Sequence, residues 1–360
     1  MEEKILKKTA LAVMAAAILS CILVPAFPYL LQAADALAVA MEDEQTKEEK
    51  KMLQMSGVEL LEYNNKKAKG EREKDPLLEG GLRLKLPLGV TAKDLEVKQD
   101  YLTQTVTVSI PYAGERYPYD YPMLGRSNNL ESITFSIQSK YGVLEIKTDQ
   151  VYEMNTSYNE DYFYLQFLTP HEVYDKVIVM DAGHGGEDFG IVRQGISEKD
   201  IDLDIVLKLK EIFEKADDTS VGVYYTRTAD TSLDEAARKG LVEKTNADLF
   251  ISVHNSSTQS GRISSIHGTQ VMYNESAEGS KELAQLCLNE LTSALSSSDK
   301  GIRAADETAT VYGCSIPALQ IEVGFMTNQA ELANLCTQEY QKKAAQGIYR
   351  TLLQALGTES

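Results

Sequence analysis

From Tyr174 to the C-terminus, short apolar segments with strand patterns alternate with longer segments of helical periodicity. The strand candidates are Lys176–Met180, Val221–Thr226, Asp248–Val253, Thr269–Tyr273 and Ala318–Val323; the helix candidates are Lys199–Lys215, Leu233–Thr245, Glu278–Leu295 and Glu339–Leu356. Such alternation is typical of strands joined by helical crossovers, which place helices on the faces of the sheet. The sequence therefore predicts an α/β domain over residues 174–358, with a mainly parallel sheet flanked by helices on both faces.

A different periodicity precedes this domain. In residues 81–170, apolar and polar side chains alternate in runs such as Leu82–Leu86, Thr103–Ile110 and Tyr162–Phe167, separated by Pro, Gly and Asn. Period-two runs between turn residues predict antiparallel strands, here a small all-β domain built as a sandwich. Residues 41–80 are dense in Glu and Lys, and predict a solvated stalk or linker, with a short coiled coil as the alternative.

Residues 1–40 have the pattern of a targeting segment. Three lysines among the first eight residues precede an uncharged run of 26 residues from Thr9 to Ala34. About 20 apolar residues suffice for a membrane-spanning helix, so the run favours an apolar anchor. The small residues of Ala36–Ala40 instead favour cleavage as a signal peptide. Both alternatives place the rest of the chain outside the cytoplasm.

Charge and cysteine content exclude several classes of protein. With 36 basic and 54 acidic side chains the formal net charge is −18, whereas nucleic-acid binding needs a basic surface that displaces counterions. The four cysteines, Cys21, Cys287, Cys314 and Cys336, are unevenly spaced and form neither a metal knuckle nor a disulfide framework. We expect those after the apolar segment to be small core residues.

Two of the four histidines in the chain lie where predicted strands end: His184 after the first and His254 at the end of the third. Ligands collect at the carboxyl ends of strands in such sheets, and two imidazoles with one carboxylate are a common zinc-binding set. Glu198, just before a helix, is either that carboxylate or a residue placed to favour the positive helix end. Glu322 lies within an apolar strand, where an unpaired carboxylate is costly, so it needs a polar partner.

Four motifs in order, DAGHGGEDFG, the EKD after Ser197, ADLFISVH and IEVGFMTN, resemble those of the zinc-dependent N-acetylmuramoyl-L-alanine amidases, bacterial cell-wall hydrolases. The resemblance covers about Lys176 to Leu356, half of the chain. It implies hydrolysis of the amide between the lactyl group of N-acetylmuramic acid and the L-alanine of the stem peptide.

The same resemblance implies roles for individual residues. His184, Glu198 and His254 would hold one Zn²⁺ per chain, and Glu322 would be the catalytic acid/base. The substrate-binding candidates are Asn255, Arg227 and Asn328. For Arg227 a structural pair with Asp230 is the alternative, and for Asn328 a helix cap. The expected partners are peptidoglycan, an activator protein, and the cytoplasmic membrane through the N-terminal segment.

The sequence also departs from the family pattern. Asn255 stands one place earlier than the family's Asn after the second ligand histidine, and Val242-Glu243 replaces an expected Ala-Asn. The segment from Asn274 to Pro317 is too short for the inhibitory helical insert that some members carry, and we expect it to hold one helix. The β-rich region is loosely similar to AMIN-type wall-targeting modules.

Two other functions remain as alternatives: a non-cleaving peptidoglycan-binding or regulatory protein on a degenerate amidase fold, and a zinc peptidase of stem peptides. The intact set of three candidate ligands and Glu322 argues against the first. The products of cleavage would distinguish the second.

Overall fold

The computed structural model describes residue 32 and residues 36–44, 46–216 and 219–357. Apart from residue 32 and residues 36–40, the predicted signal peptide or anchor, and Cys21 with it, lies outside the described residues. Over those residues, no helix combines the length and the apolar character that crossing a membrane requires. The chain divides into two compact units, Met1–Leu60 and Leu61–Ser360. In the first unit, residues 36–44 and 46–52 are helical.

Short helices and turns surround the β-rich region: α1 (Gly57–Lys67), α2 (Lys69–Arg72), α3 (Tyr117–Asp120), α4 (Pro170–Val173) and the 3₁₀ turns Pro76–Leu78 and Ala92–Asp94. Residues 61–80 belong to the predicted stalk, but part of this segment is packed. Leu61 and Leu78 are fully buried, and the Asn65 Nδ2 donates to the Gly125 carbonyl at 2.7 Å. Part of the predicted stalk is thus packed, whereas residues such as Lys66 and Lys69 remain exposed.

Residues 81–168 form two four-stranded sheets in which every pairing is antiparallel, with the orders β4-β1-β8-β7 and β2-β3-β6-β5. Tyr117 contacts both sheets: its ring stacks on Phe135, and its hydroxyl donates to the Lys85 carbonyl. The predicted strands are therefore present, whereas their separation as a domain of their own stays a prediction. The strands are β1 (Gly81–Lys85), β2 (Glu96–Asp100), β3 (Thr105–Pro111), β4 (Leu124–Gly125), β5 (Leu130–Gln138), β6 (Tyr141–Thr148), β7 (Glu153–Tyr158) and β8 (Tyr162–Leu168).

From Lys176 the chain forms a six-stranded sheet with the order β12-β9-β13-β16-β14-β15 and a separate small hairpin, β10-β11. The pairings are parallel except that of β14 with β16. The predicted α/β fold is confirmed, with a sheet that is mixed rather than wholly parallel. The strands are β9 (Lys176–Ala182), β10 (Val192–Arg193), β11 (Ile196–Ser197), β12 (Val221–Tyr225), β13 (Leu249–Ser256), β14 (Thr269–Tyr273), β15 (Asp299–Ala304) and β16 (Ala318–Phe325).

The five helices of this region are α5 (Glu198–Ala216), α6 (Glu235–Thr245), α7 (Ser280–Leu295), α8 (Gln329–Leu335) and α9 (Gln338–Leu356). Helices α5, α7 and α9 cover one face of the sheet, because apolar side chains recur along them at helical spacing. On α5 these are Ile201, Ile205 and Leu209, which pack with Ile178 and Ile321 of the sheet.

The opposite face is covered by α6 and the loop of residues 305–317, and also by the β-rich region. Val151 is buried in this core, and its N–H donates to the Lys244 carbonyl at 2.9 Å. The Tyr224 hydroxyl donates to Glu153, and the Tyr101 ring meets Tyr224 edge-on at 5.0 Å. Helices therefore flank the sheet on both faces, and on this face the β-rich region adds to the covering.

Two further expectations need correction. The segment from Asn274 to Pro317 contains the edge strand β15 in addition to the expected helix. Of the cysteines expected in the core, Cys287 and Cys314 are buried, but Cys336 is exposed directly after α8.

Candidate metal centre

Three neighbouring strands bring the candidate residues to one edge of the sheet. His184 follows β9, His254 lies on β13 and Glu322 on β16, and β13 pairs with both other strands. His254 and Glu322 are directly opposite each other in register. Glu198 is the first residue of α5 and arrives from the β10-β11 hairpin. The ends of parallel strands meet at a common edge, so residues distant in sequence converge here.

The Glu198 carboxylate lies between the two histidines. Its Oε2 is 3.3 Å from His184 Nε2, and its Oε1 is 3.3 Å from His254 Nδ1. Backbone N–H groups of Ile191 and Asn255 donate to the same two oxygens. Glu198 is therefore held in one position from both sides.

Asp202, one helical turn after Glu198, joins this group. Possible ligand atoms of Asp202, His184, Glu198 and His254 all lie within 4.8 Å of one another. Asp202 is fully buried and accepts a hydrogen bond from the Asn255 Nδ2 at 2.8 Å. The sequence analysis did not identify Asp202 as a member of the site, although residues four apart on a helix, such as Glu198 and Asp202, lie on the same side of it.

The arrangement of these residues fits a zinc ion. Donors about 2.0–2.1 Å from a tetrahedral zinc lie about 3.4 Å apart, close to the two 3.3 Å separations around Glu198. The Asp188 carboxylate lies 2.8 Å from His184 Nδ1, an outer contact typical of metal-binding histidines that orients the ring. The donor set of two imidazoles and a carboxylate is that of catalytic zinc sites.

The surroundings of the site shift the pKa values of its two glutamates in opposite directions. Burial alone would raise the pKa of Glu198, but hydrogen bonds from His184 and His254 outweigh it and hold that pKa far below the usual range. Burial would lower the pKa of His184, yet its contacts with Glu198 and Asp188 raise it to about 9. For Glu322, burial raises the pKa, opposed by the charge of His254. One glutamate is thus kept ionised, and the other is suited to carrying a proton.

Two buried arginines hold the backbone that carries His184. Arg227 donates to the carbonyls of Ala182 and Gly183, and Arg238 to those of Ala182 and His184. His184 itself has a φ of +59°, a left-handed conformation that non-glycine residues rarely adopt. The arginines therefore fix a strained turn whose carbonyls point inward.

An aspartate at the end of β9 anchors one of these arginines. Asp181 is fully buried and forms an ion pair with Arg238. It also accepts hydrogen bonds from the hydroxyls of Thr226 and Ser252. These partners satisfy a carboxylate that would be costly to bury alone.

The structure gives the three substrate-binding candidates other contacts. Arg227 is only 3% exposed, its guanidinium is occupied by backbone carbonyls, and Asp230 pairs instead with Lys199 at 2.5 Å. Asn255 is buried with its amide on Asp202. The Asn328 Oδ1 caps α8 by accepting from two backbone N–H groups. Each side chain is thus engaged in supporting the fold, which gives no support to a role in substrate contact.

A glycine beside the site leads to a testable expectation. A Cβ on Gly183 would lie 2.3 Å from the His254 ring, so Gly183→Ala must displace that histidine. We expect the zinc affinity, measured by competition with a chromophoric chelator, to fall about 10- to 100-fold, as for other disturbances beside a metal site. Gly240→Ala is the control, because a Cβ in the middle of α6 meets nothing within 4 Å. Equal zinc affinities for the two variants would contradict the prediction that His254 is a zinc ligand.

The similarity to known proteins lies in the α/β region of the chain. A family profile described as N-acetylmuramoyl-L-alanine amidase (Amidase_3) matches residues 178–354. The uncharacterized protein YqiI of Bacillus subtilis is 34% identical over 175 residues, which is 48% of this chain and 81% of YqiI. The N-acetylmuramoyl-L-alanine amidase LytC of Bacillus subtilis is 30% identical over 179 residues, 49% of this chain but only 35% of LytC.

A solved structure is also similar to this chain. The CwlD amidase of Clostridioides difficile, determined in complex with the GerS lipoprotein, is 31% identical, and the match covers 51% of this chain and 100% of that chain with a TM-score of 0.47. Residues 178–354, which the family profile matches, include every residue of the candidate metal centre. From the family profile and the sequence relatives, the chain belongs to the N-acetylmuramoyl-L-alanine amidase family of peptidoglycan hydrolases.

Proposed function

We propose that the protein cleaves the amide bond between the lactyl group of N-acetylmuramic acid and the L-alanine of the stem peptide. In this proposal His184, Glu198 and His254 bind one Zn²⁺, and Glu322 is the catalytic acid/base. The observation that supports it most is the placement of Glu198 at 3.3 Å from both imidazoles, with Glu322 opposite His254 on the next strand. Two neutral imidazoles and an ionised carboxylate are the donors that a catalytic zinc requires.

When bound, zinc supplies Lewis acidity that polarises an amide carbonyl and makes a water molecule more acidic. The chain supplies the proton transfer. Glu322 accepts the proton of the attacking water at a carboxylate oxygen and returns it to the alanine nitrogen as the C–N bond breaks. Its burial suits this role, because the raised pKa brings the carboxyl closer to the pH at which a group both accepts and donates a proton.

The surrounding residues keep these groups in place. Asp188 orients the His184 ring, the backbone N–H of Asn255 holds Glu198, and the arginines hold the turn before His184. Positions fixed in this way reduce the reorganisation that the reaction would otherwise require.

Peptidoglycan lies outside the cytoplasmic membrane, so we propose that the enzyme acts there, in the cell wall. Whether the N-terminal segment anchors the protein or is removed stays a prediction, as does the activator protein. The wall-targeting role of the β-rich region is also a prediction.

The proposed reaction is tested by incubating the full chain with purified peptidoglycan and identifying the new chain ends by mass spectrometry. We expect free stem peptides that begin at L-alanine and intact glycan strands. This activity should disappear with a zinc chelator, return with added Zn²⁺, and be absent from His254→Ala. New amines within the stem peptide would instead indicate a peptidase. Absence of cleavage by a chain with one bound zinc would favour a binding protein, or an enzyme that requires its activator.

A further inference from the structure

A buried glutamine lies beside the proposed acid/base. Gln320 and Glu322 are two residues apart on β16, so their side chains lie on the same face of the sheet. Both are almost fully buried, and the Gln320 Nε2 donates to Glu322 Oε1 at 2.9 Å. For the described part of the chain, this is the one side-chain hydrogen bond recorded for the Glu322 carboxyl.

The other end of the Gln320 amide is fixed as well. Its Oε1 accepts a hydrogen bond from the Thr310 backbone N–H at 2.9 Å. Thr310 lies in the loop of residues 305–317, where the neighbouring Ala309 and Val311 are buried in the core. The loop is therefore a firm support for the amide.

These two bonds determine which way the amide points. A backbone N–H requires an acceptor, so the carbonyl oxygen of Gln320 must face Thr310. Turning the amide over would place two donors against each other there and remove the donor from Glu322. Gln320 is thus oriented as a hydrogen-bond donor to the carboxyl before any substrate binds.

We propose that Gln320 is a positioning residue, which holds Glu322 through Oε1 and leaves Oε2 as the oxygen that exchanges the proton. The loop of residues 305–317 acts through this amide to fix the rotamer of the acid/base. This inference rests on the proposed role of Glu322.

The test compares Gln320→Met and Gln320→Glu in the full chain, with kcat and KM measured on a soluble muropeptide. Methionine keeps the length and removes both hydrogen bonds. Glutamate keeps an acceptor for Thr310 but replaces the amide donor with a second carboxyl, which competes with Glu322 for a proton. A hydrogen bond to a charged group is worth enough that we expect kcat to fall about 10- to 100-fold in both variants, with KM within about twofold. Zinc content should remain one per chain.

The control is Gln270→Met on β14. Gln270 is opposite Glu322 in register, but its amide contacts the Lys300 carbonyl instead. We expect its kcat to equal that of the parent chain. Normal kcat in Gln320→Met would show that Glu322 needs no support from this amide and would overturn the proposal. So would a change in KM or zinc content that accounts for the lost activity. If Glu322→Gln is itself fully active, the proposed function fails instead.

Discussion

Replacing Glu322 with glutamine is expected to lower kcat by about 100- to 10,000-fold, the range over which a positioned acid/base accelerates proton transfer. Glutamine has nearly the same shape but no proton to exchange. Glu322 is not within the group of close ligand atoms formed around Glu198, so zinc binding should remain at one ion per chain. The measurement is the initial rate on a soluble muropeptide, with zinc content determined on the same sample.

The control for Glu322→Gln is the same replacement at a glutamate outside the site, which shows the effect of losing one negative charge. Glu290 on α7 pairs with Arg350 on α9 at 2.7 Å, on the helical side of the sheet. Glu290→Gln should retain the parent kcat, since it changes the same functional group away from the site. A Glu322→Gln enzyme with activity close to that of this control would exclude Glu322 as the proton carrier.

The second large effect is expected on stability. Arg238→Met leaves Asp181 buried without its cationic partner, and breaking a buried ion pair in this way costs about 3–5 kcal/mol. The same change removes the hydrogen bonds to the Ala182 and His184 carbonyls. The free energy of unfolding, measured by urea titration of the zinc-free chain, should fall by that amount. Using the zinc-free chain separates the loss of stability from any loss of metal affinity.

Arg350→Met provides the comparison for an ion pair nearer the surface. The Arg350 side chain is 43% exposed, and exposed pairs contribute about 0–1 kcal/mol. We therefore expect a change of at most about 1 kcal/mol. Equal losses in the two variants would mean that the Asp181–Arg238 pair has no special structural importance.

The features that were predictable from the sequence depend on side-chain periodicity. Strand β14 begins and ends where predicted, and the approach of His184 to His254 follows from the meeting of parallel strand ends. For Glu198 the sequence left two alternatives, a metal ligand or a residue at a helix start. The structure shows why spacing did not separate them: Glu198 is the first residue of α5 and also lies between the two imidazoles.

Other features depend on where backbone groups point, which residue patterns do not encode. Arg227 has a charged side chain that could bind a substrate, yet its guanidinium donates to the Ala182 and Gly183 carbonyls of the turn before His184. The contact of Asp188 with the His184 ring depends on the turn between them, so the sequence alone did not identify Asp188 as a partner of that histidine. The reversed direction of β14 was equally hidden, because a strand reads the same in either orientation.

The contact of the β-rich region with the far face of the catalytic sheet affects how the enzyme can be divided. A fragment that begins at Tyr174 would lack Val151, and the aromatic surface around Tyr224 would lose both Tyr101 and Glu153. Newly bared apolar surface promotes self-association. Recombinant catalytic fragments, or chimaeras that exchange this region with that of another amidase, would therefore need a replacement for the lost covering. The shortest fragment that remains monomeric in solution should therefore begin upstream of β1.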